Sequence, residues 1–300
     1  MTNHTEEAFV TANGIQLCYD TFGNENDPPL LLIMGLGVQM IAWHEEFCEQ
    51  LAQQGFWVIR FDNRDIGKST RFDEAGIPNV MAVMMAAMQG QTVATPYLLK
   101  DMAQDSVELL DALGIEKAHV VGASMGGMIV QEILIRHPER VLTATSIMST
   151  TGDPSLPPAT PDALNVLMSP APMERDSYLE NSVVVWQVLN GDGYQLRETA
   201  VRENAARAFD RGLNPAGTAR QMAAIFASGS RREPLKQVKV PTLVIHGAAD
   251  PLVPLAAGED TAAHIPDAEL LVIEKMGHGL PIETWPEVIG AIVKHAKSAA

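Results

Sequence analysis

At 300 residues, with 46% hydrophobic and 19% charged residues, the chain is long enough for one large buried core with an inserted lobe. Its 21 Lys+Arg stand against 37 Asp+Glu, a formal charge of −16. A surface this acidic repels phosphate backbones and anionic lipid, which excludes nucleic acid and membrane surfaces as expected partners.

The N-terminal stretch has no basic segment followed by an apolar one, and no run approaches the roughly 18 apolar residues of a membrane span. A cytoplasmic protein is the expectation. Short runs rich in Val, Ile and Leu then predict strands over residues 9–12, 16–22, 30–34, 57–62, 118–122, 142–148, 242–246 and 269–273. Asn13-Gly14 between the first two is a hairpin signal, so the sheet opens antiparallel and continues parallel. Apolar spacing near 3.6 predicts helices over 43–54, 98–113, 125–136 and 285–297. Gly55 and Gly114 sit where helix C-terminal caps belong, and Pro138 follows a helix it could not continue.

From Thr151 to about Val240 the alternation stops, and a Pro-rich entry (Pro154, Pro157, Pro158, Pro161) leads into helical and turn-like text. The expected architecture is α/β: a mostly parallel eight-stranded sheet with helices on both faces. Residues 1–150 and 241–300 form the core domain, and 151–240 form a helical cap, or lid, over one end of the strands. Cys18 and Cys48 make neither a disulfide framework nor a zinc spacing. Both are expected as small buried apolar residues, with no metal site.

The run Val120-Val121-Gly122-Ala123-Ser124-Met125-Gly126-Gly127 has an apolar strand before it and an amphipathic helix after it, the context of a nucleophile elbow. A sharp turn strains the serine backbone and leaves room only for glycine on either side, where strand and helix cross. A serine at its free pKa is a poor nucleophile and needs a histidine base oriented by a carboxylate. Of the eight histidines, only His278 lies in a Gly-flanked loop, Met276-Gly277-His278-Gly279, between the last strand and the last helix. Asp250, beyond the seventh strand, is the preferred acid, and Asp153, after the sixth, is its competitor. Two N–H donors are needed for the tetrahedral oxyanion. Met125, after the serine, is one, and Leu36, between Gly35 and Gly37, is the other.

Two further stretches carry no assigned role in catalysis. Asp62-Asn63-Arg64-Asp65-Ile66-Gly67-Lys68-Ser69 reads as a structural turn held by charge-assisted bonds. The methionine-rich run from Met81 to Met88 reads as a buried helix face or as the lining of an adaptable apolar pocket.

Leu31-Leu32-Ile33-Met34-Gly35, Arg60 to Asp65, His119-Val120-Val121-Gly122, Val240 to Val244 and Met276-Gly277-His278 in combination resemble the α/β-hydrolase superfamily. Within it they are most similar to the anthracycline (aclacinomycin) methylesterase group. Many superfamily members carry His-Gly where this chain has Met34-Gly35, and the methylesterase group shares the Met-Gly form. The resemblance implies Ser124, Asp250 and His278 as a triad, and Leu36 and Met125 as oxyanion donors. An anthracycline substrate does not follow from it, because the lid text is not similar and fold does not fix function.

The expected activity is a carboxylic ester hydrolase acting on small to medium apolar esters, methyl esters among them, with no cofactor. Serine at the elbow argues against haloalkane dehalogenase and epoxide hydrolase chemistry, which need an alkyl-enzyme ester. The alternatives are carbon–carbon bond hydrolysis or cofactor-free perhydrolase (haloperoxidase) chemistry on the same triad, and a non-enzymatic ligand-binding protein. The partner expected is a small-molecule ester, and the oligomeric state stays open, a homo-oligomer included.

Overall fold

A computed structural model describes residues 3–298. Its frame is an eight-stranded sheet in the order β1-β2-β4-β3-β5-β6-β7-β8. The strands are β1 (Ala8–Ala12), β2 (Ile15–Phe22), β3 (Pro29–Ile33), β4 (Trp57–Phe61), β5 (Ala118–Ala123), β6 (Val141–Ile147), β7 (Thr242–Gly247) and β8 (Glu269–Ile273). β1–β2 and β2–β4 pair antiparallel, and every later pair is parallel. The hairpin turns at Asn13 and Gly14, both with positive φ, as the twist of a two-residue hairpin requires.

Helices α1 (Glu45–Gln53), α2 (Val80–Met88), α3 (Leu99–Ala112) and α4 (Met125–Arg136) come before β6. Helices α5 (Pro161–Met168), α6 (Arg175–Asn190), α7 (Glu198–Arg211), α8 (Pro215–Ser228) and α9 (Arg232–Leu235) lie between β6 and β7. Helices α10 (Leu255–His264) and α11 (Trp285–Ser298) complete the chain. Among these, none is long and apolar enough to cross a membrane.

Side chains alternate across a strand, and β3 shows why its text is continuously apolar. Leu31 and Ile33 join a core layer with α3 and α4, whereas Leu30 and Leu32 join the opposite layer with α1 and α11. A strand covered on both faces has no position to leave polar. Leu235 and Val238 sit in the same layer as Ile129 and Ile133 of α4, and α9 packs against α4 and α10. The end of the 151–240 stretch therefore packs with the helices that cover the sheet.

The turn after β4 is held by buried charge. Asp62 accepts from the Met40 N–H at 2.8 Å, the Lys68 N–H at 3.0 Å and Arg211 at 2.9 Å. Arg64 forks onto Asp105 through two bonds of 2.6 Å. Cys18 and Cys48 are free and buried.

One reading of the sequence differs from the structure, and one helix stands where the sequence carries no helical signal. The methionine-rich run is a helix, α2, but Val83 is its one buried residue and Met88 is 75% exposed. A helix apolar on every side can bury only the stripe that meets a neighbour, here α8. Helix α10 was not anticipated, because Leu-Ala-Ala-Gly-Glu-Asp-Thr-Ala-Ala-His has only small residues where a stripe of Leu or Ile would signal it.

His119, buried in β5, bonds through Nδ1 to Thr143 Oγ1 at 2.8 Å. Burial, reinforced by neighbouring His295, pulls its pKa down to about 4, and burial likewise lowers His44 and His246. The unfolded chain takes up protons near pH ~6.5 that the folded chain refuses. Stability from this source is full above about pH 6.5 and declines as pH falls toward about 4. Thermal melts across that window are expected to show a falling Tm, with a shallower fall in His119→Gln; an unchanged slope in the variant would refute the assignment.

Candidate active site

β5 ends at Ala123, α4 begins at Met125, and Ser124 between them has φ 55° and ψ −119°. This backbone is costly for any residue other than glycine. Neighbouring contacts enforce it. A Cβ on Gly122 would collide with the Gly126 carbonyl, and one on Gly126 would collide with the Ile33 carbonyl. The Ser124 N–H donates to the Ile147 carbonyl at 2.9 Å, and Ser149 Oγ donates to the Ser124 carbonyl at 2.8 Å. The serine is thereby fixed at the carboxyl end of the parallel strands, where α/β sheets place their sites.

His278 and Asp250 come to it from the loops after β8 and β7. His278 Nε2 lies 3.0 Å from Ser124 Oγ, and its Nδ1 lies 2.7 Å from Asp250 Oδ2. The other carboxylate oxygen, Oδ1, accepts the Leu252 and Val253 N–H groups at 2.9 and 2.8 Å. An ionised carboxylate only accepts, so Nδ1 carries the imidazole proton and Nε2 presents its lone pair to the serine hydroxyl, which donates. The His278 N–H donates to the Leu189 carbonyl at the end of α6, at 2.7 Å. Asp153, the competing acid, lies on a different set of partners, Ser155, Ser230 and Arg232.

The loop after β3 crosses directly over the serine. A Cβ on Gly35 would stand 3.1 Å from Ser124 Cβ and 3.6 Å from its Oγ. Glycine keeps this approach free of that crowding. Asn63 Nδ2 donates to the Met34 carbonyl at 2.9 Å and braces the loop from below. Among the described residues, the Leu36 and Met125 N–H groups have no acceptor, and Met125 adds the positive end of the α4 dipole.

Sequence reasoning missed three supports. Asn63 and Ser149 carry no signal of their own, because each acts on a backbone group of a distant element. His246, fully buried at the end of β7, bonds through Nε2 to the Val253 carbonyl at 2.8 Å, and so holds the turn that carries Asp250. Its place four residues before Asp250 is the one trace visible in the text.

A family model for the α/β-hydrolase fold matches residues 28–284. The chain belongs to the α/β-hydrolase family. It is 31% identical to the rhodomycin D methylesterase DauP of Streptomyces sp. strain C5 over 314 residues, covering 97% of this chain and 98% of that one. The rhodomycin D methylesterase DnrP of Streptomyces peucetius is also 31% identical, over 316 residues, with the same coverage. Among solved structures, the meta-cleavage product hydrolase of Pseudomonas fluorescens IP01 superposes with a TM-score of 0.77 at 22% identity, covering 98% of each chain. That last likeness is one of fold.

The elbow's crowding gives a direct test. Gly126→Ala drives a methyl group into the Ile33 carbonyl, and is expected to cost about 3 kcal/mol or more. Urea denaturation checks this, and a midpoint equal to that of the unchanged protein would contradict it.

Proposed function

We propose that this α/β-hydrolase is a carboxylic ester hydrolase with Ser124 as nucleophile, His278 as general base and then acid, and Asp250 as the orienting carboxylate. The observation that carries the reading is the continuous chain of short contacts from Asp250 Oδ2 through the imidazole to Ser124 Oγ, 2.7 and 3.0 Å. As Oγ attacks the ester carbonyl carbon, its proton passes to Nε2, and Asp250 stabilises the imidazolium that forms. The carbonyl oxygen becomes an oxyanion on the Leu36 and Met125 N–H groups. Collapse breaks the bond to the alcohol, which leaves with the proton from Nε2. Water then adds to the acyl-enzyme by the same route, and the acid and free serine are regenerated.

The 31% identity to two rhodomycin D methylesterases over almost the whole chain supports an ester as substrate and makes methyl esters the first class to assay. Helices α5–α8 serve as the cap over the strand ends, and a small-molecule ester is the partner proposed. The alternatives of carbon–carbon hydrolysis and peroxide chemistry use the same three side chains, and no contact in the site favours them over ester hydrolysis.

On p-nitrophenyl and methyl esters, Ser124→Ala is expected to lower kcat by ~10⁴-fold or more; unchanged turnover would reject the site. Asp250→Asn keeps an acceptor for the Leu252 and Val253 N–H groups but no longer enforces the Nδ1–H tautomer. Its kcat is expected to fall ~10³- to 10⁴-fold with the fold intact, as judged by steady-state kinetics beside circular dichroism. Activity near that of the unchanged enzyme would remove Asp250 from the triad.

A further inference from the structure

We infer that Gln221, on helix α8 of the inserted segment, is a positioning residue for the oxyanion loop, holding the Leu36–Gly37 peptide so that the Leu36 N–H stays aimed at the developing oxyanion. The inference rests on the ester-hydrolase reading of Ser124 and adds to it a residue from outside the triad and its loops.

Gln221 is fully buried. Its Oε1 accepts the Gly37 N–H at 2.9 Å, and its Nε2 donates to the Arg64 carbonyl at 2.8 Å. One partner is an N–H and the other a C=O, so the amide has a single satisfactory orientation. A flip would set its NH₂ against an N–H and its oxygen against a carbonyl. The side chain therefore bridges the loop after β3 to the turn after β4.

Helix α8 is itself anchored. Arg220, beside Gln221, forks onto Asp65 at 2.8 and 2.7 Å, with both side chains almost wholly buried. Asn214, the helix N-cap, donates to the Asp65 carbonyl at 2.8 Å. Thr218 closes on Gly37, whose φ is +69°. Gln221 thus reaches the loop from a helix locked to the same turn that it bridges.

The loop needs such a restraint. Gly35 lets the backbone pass close to Ser124 and Gly37 takes a positive φ, but the same freedom lets the intervening peptides rotate at little cost. A backbone donor stabilises an oxyanion only when it is already oriented. Binding the Gly37 N–H fixes the peptide on one side of Leu36, while Asn63 holds the Met34 carbonyl on the other side of Gly35.

Gln221→Met preserves length and apolar volume but leaves the Gly37 N–H and Arg64 carbonyl unpaired. Deleting an oxyanion donor outright costs ~10²- to 10³-fold, so loosening one is expected to lower kcat by about 10- to 50-fold, with KM changed by less than about threefold. Gln221→Glu gives a separate signature. Its protonated carboxyl reproduces both bonds and its ionised form cannot donate to Arg64, so kcat relative to the unchanged enzyme should rise as pH is lowered.

The test measures kcat, KM and inhibition by an aryl trifluoromethyl ketone for both variants beside Ser124→Ala. In the inhibitor complex Oγ bonds to the ketone carbon, the hydroxyl proton moves to His278, and the former carbonyl oxygen becomes an oxyanion. Ketone affinity should fall with kcat in Gln221→Met by a similar factor while KM holds. A kcat and ketone affinity within about twofold of the unchanged enzyme, or a loss confined to KM, would overturn the inference. If Gln221→Met does not fold, the pH dependence of Gln221→Glu decides, and a flat ratio rejects the proposal. Full turnover in Ser124→Ala would instead overturn the reading beneath it, whereas a dead Ser124→Ala beside a Gln221→Met whose kcat and ketone affinity match the unchanged enzyme would sink this inference alone.

Discussion

Strand β5 and helix α4 cross so closely that neither Gly122 nor Gly126 has room for a side chain. That contact forces Ser124 between them into a positive φ, and the strain is borne by a fully buried strand and by a helix buried from Met125 to Leu134. The hydroxyl is then held above the strand ends, within reach of a histidine and a carboxylate carried by two later loops. Remove the crossing and the serine becomes an ordinary cap at the start of a helix. The other elements of the site are arranged around this fixed point.

His278 and the loop after β3 are each fastened to the inserted helices. The Leu189 carbonyl of α6 holds the His278 backbone, and Gln221 of α8 holds the Gly37 backbone. Gly277 also lies where a side chain would strike the Asn190 carbonyl. The inserted helices therefore brace the backbones on two sides of Ser124, and a substitution in α6 or α8 acts on those backbones through these contacts. The paired charges Arg220–Asp65 and Arg64–Asp105 tie α8 and α3 to the turn after β4, and their directional geometry sets the register between the layers.

Much of this arrangement was legible in the sequence because it is written in local patterns. Runs such as Leu30 to Ile33 signal strands covered on both faces, and all eight strands stand within a residue or so of their expected positions. Gly122, Ser124 and Gly126 announce their turn by spacing, and Gly277-His278-Gly279 marks a loop histidine. What could not be read acts across distance. Asn63, Ser149 and Gln221 each bond a backbone group on another element, and no local periodicity encodes such a partner. Helix α10 lacks large apolar residues, and the exposed methionines of α2 misled because apolarity suggests burial without naming the surface that would provide it.

The central claim is that Ser124 is made reactive by His278. The most direct measurement is mass spectrometry of the protein digested after exposure to an aryl phosphonate ester, for the unchanged chain and for His278→Ala. The account predicts a single adduct on the peptide containing Ser124, formed far more slowly in the variant. An adduct on another residue, or equal labelling of Ser124 without the imidazole, would contradict it.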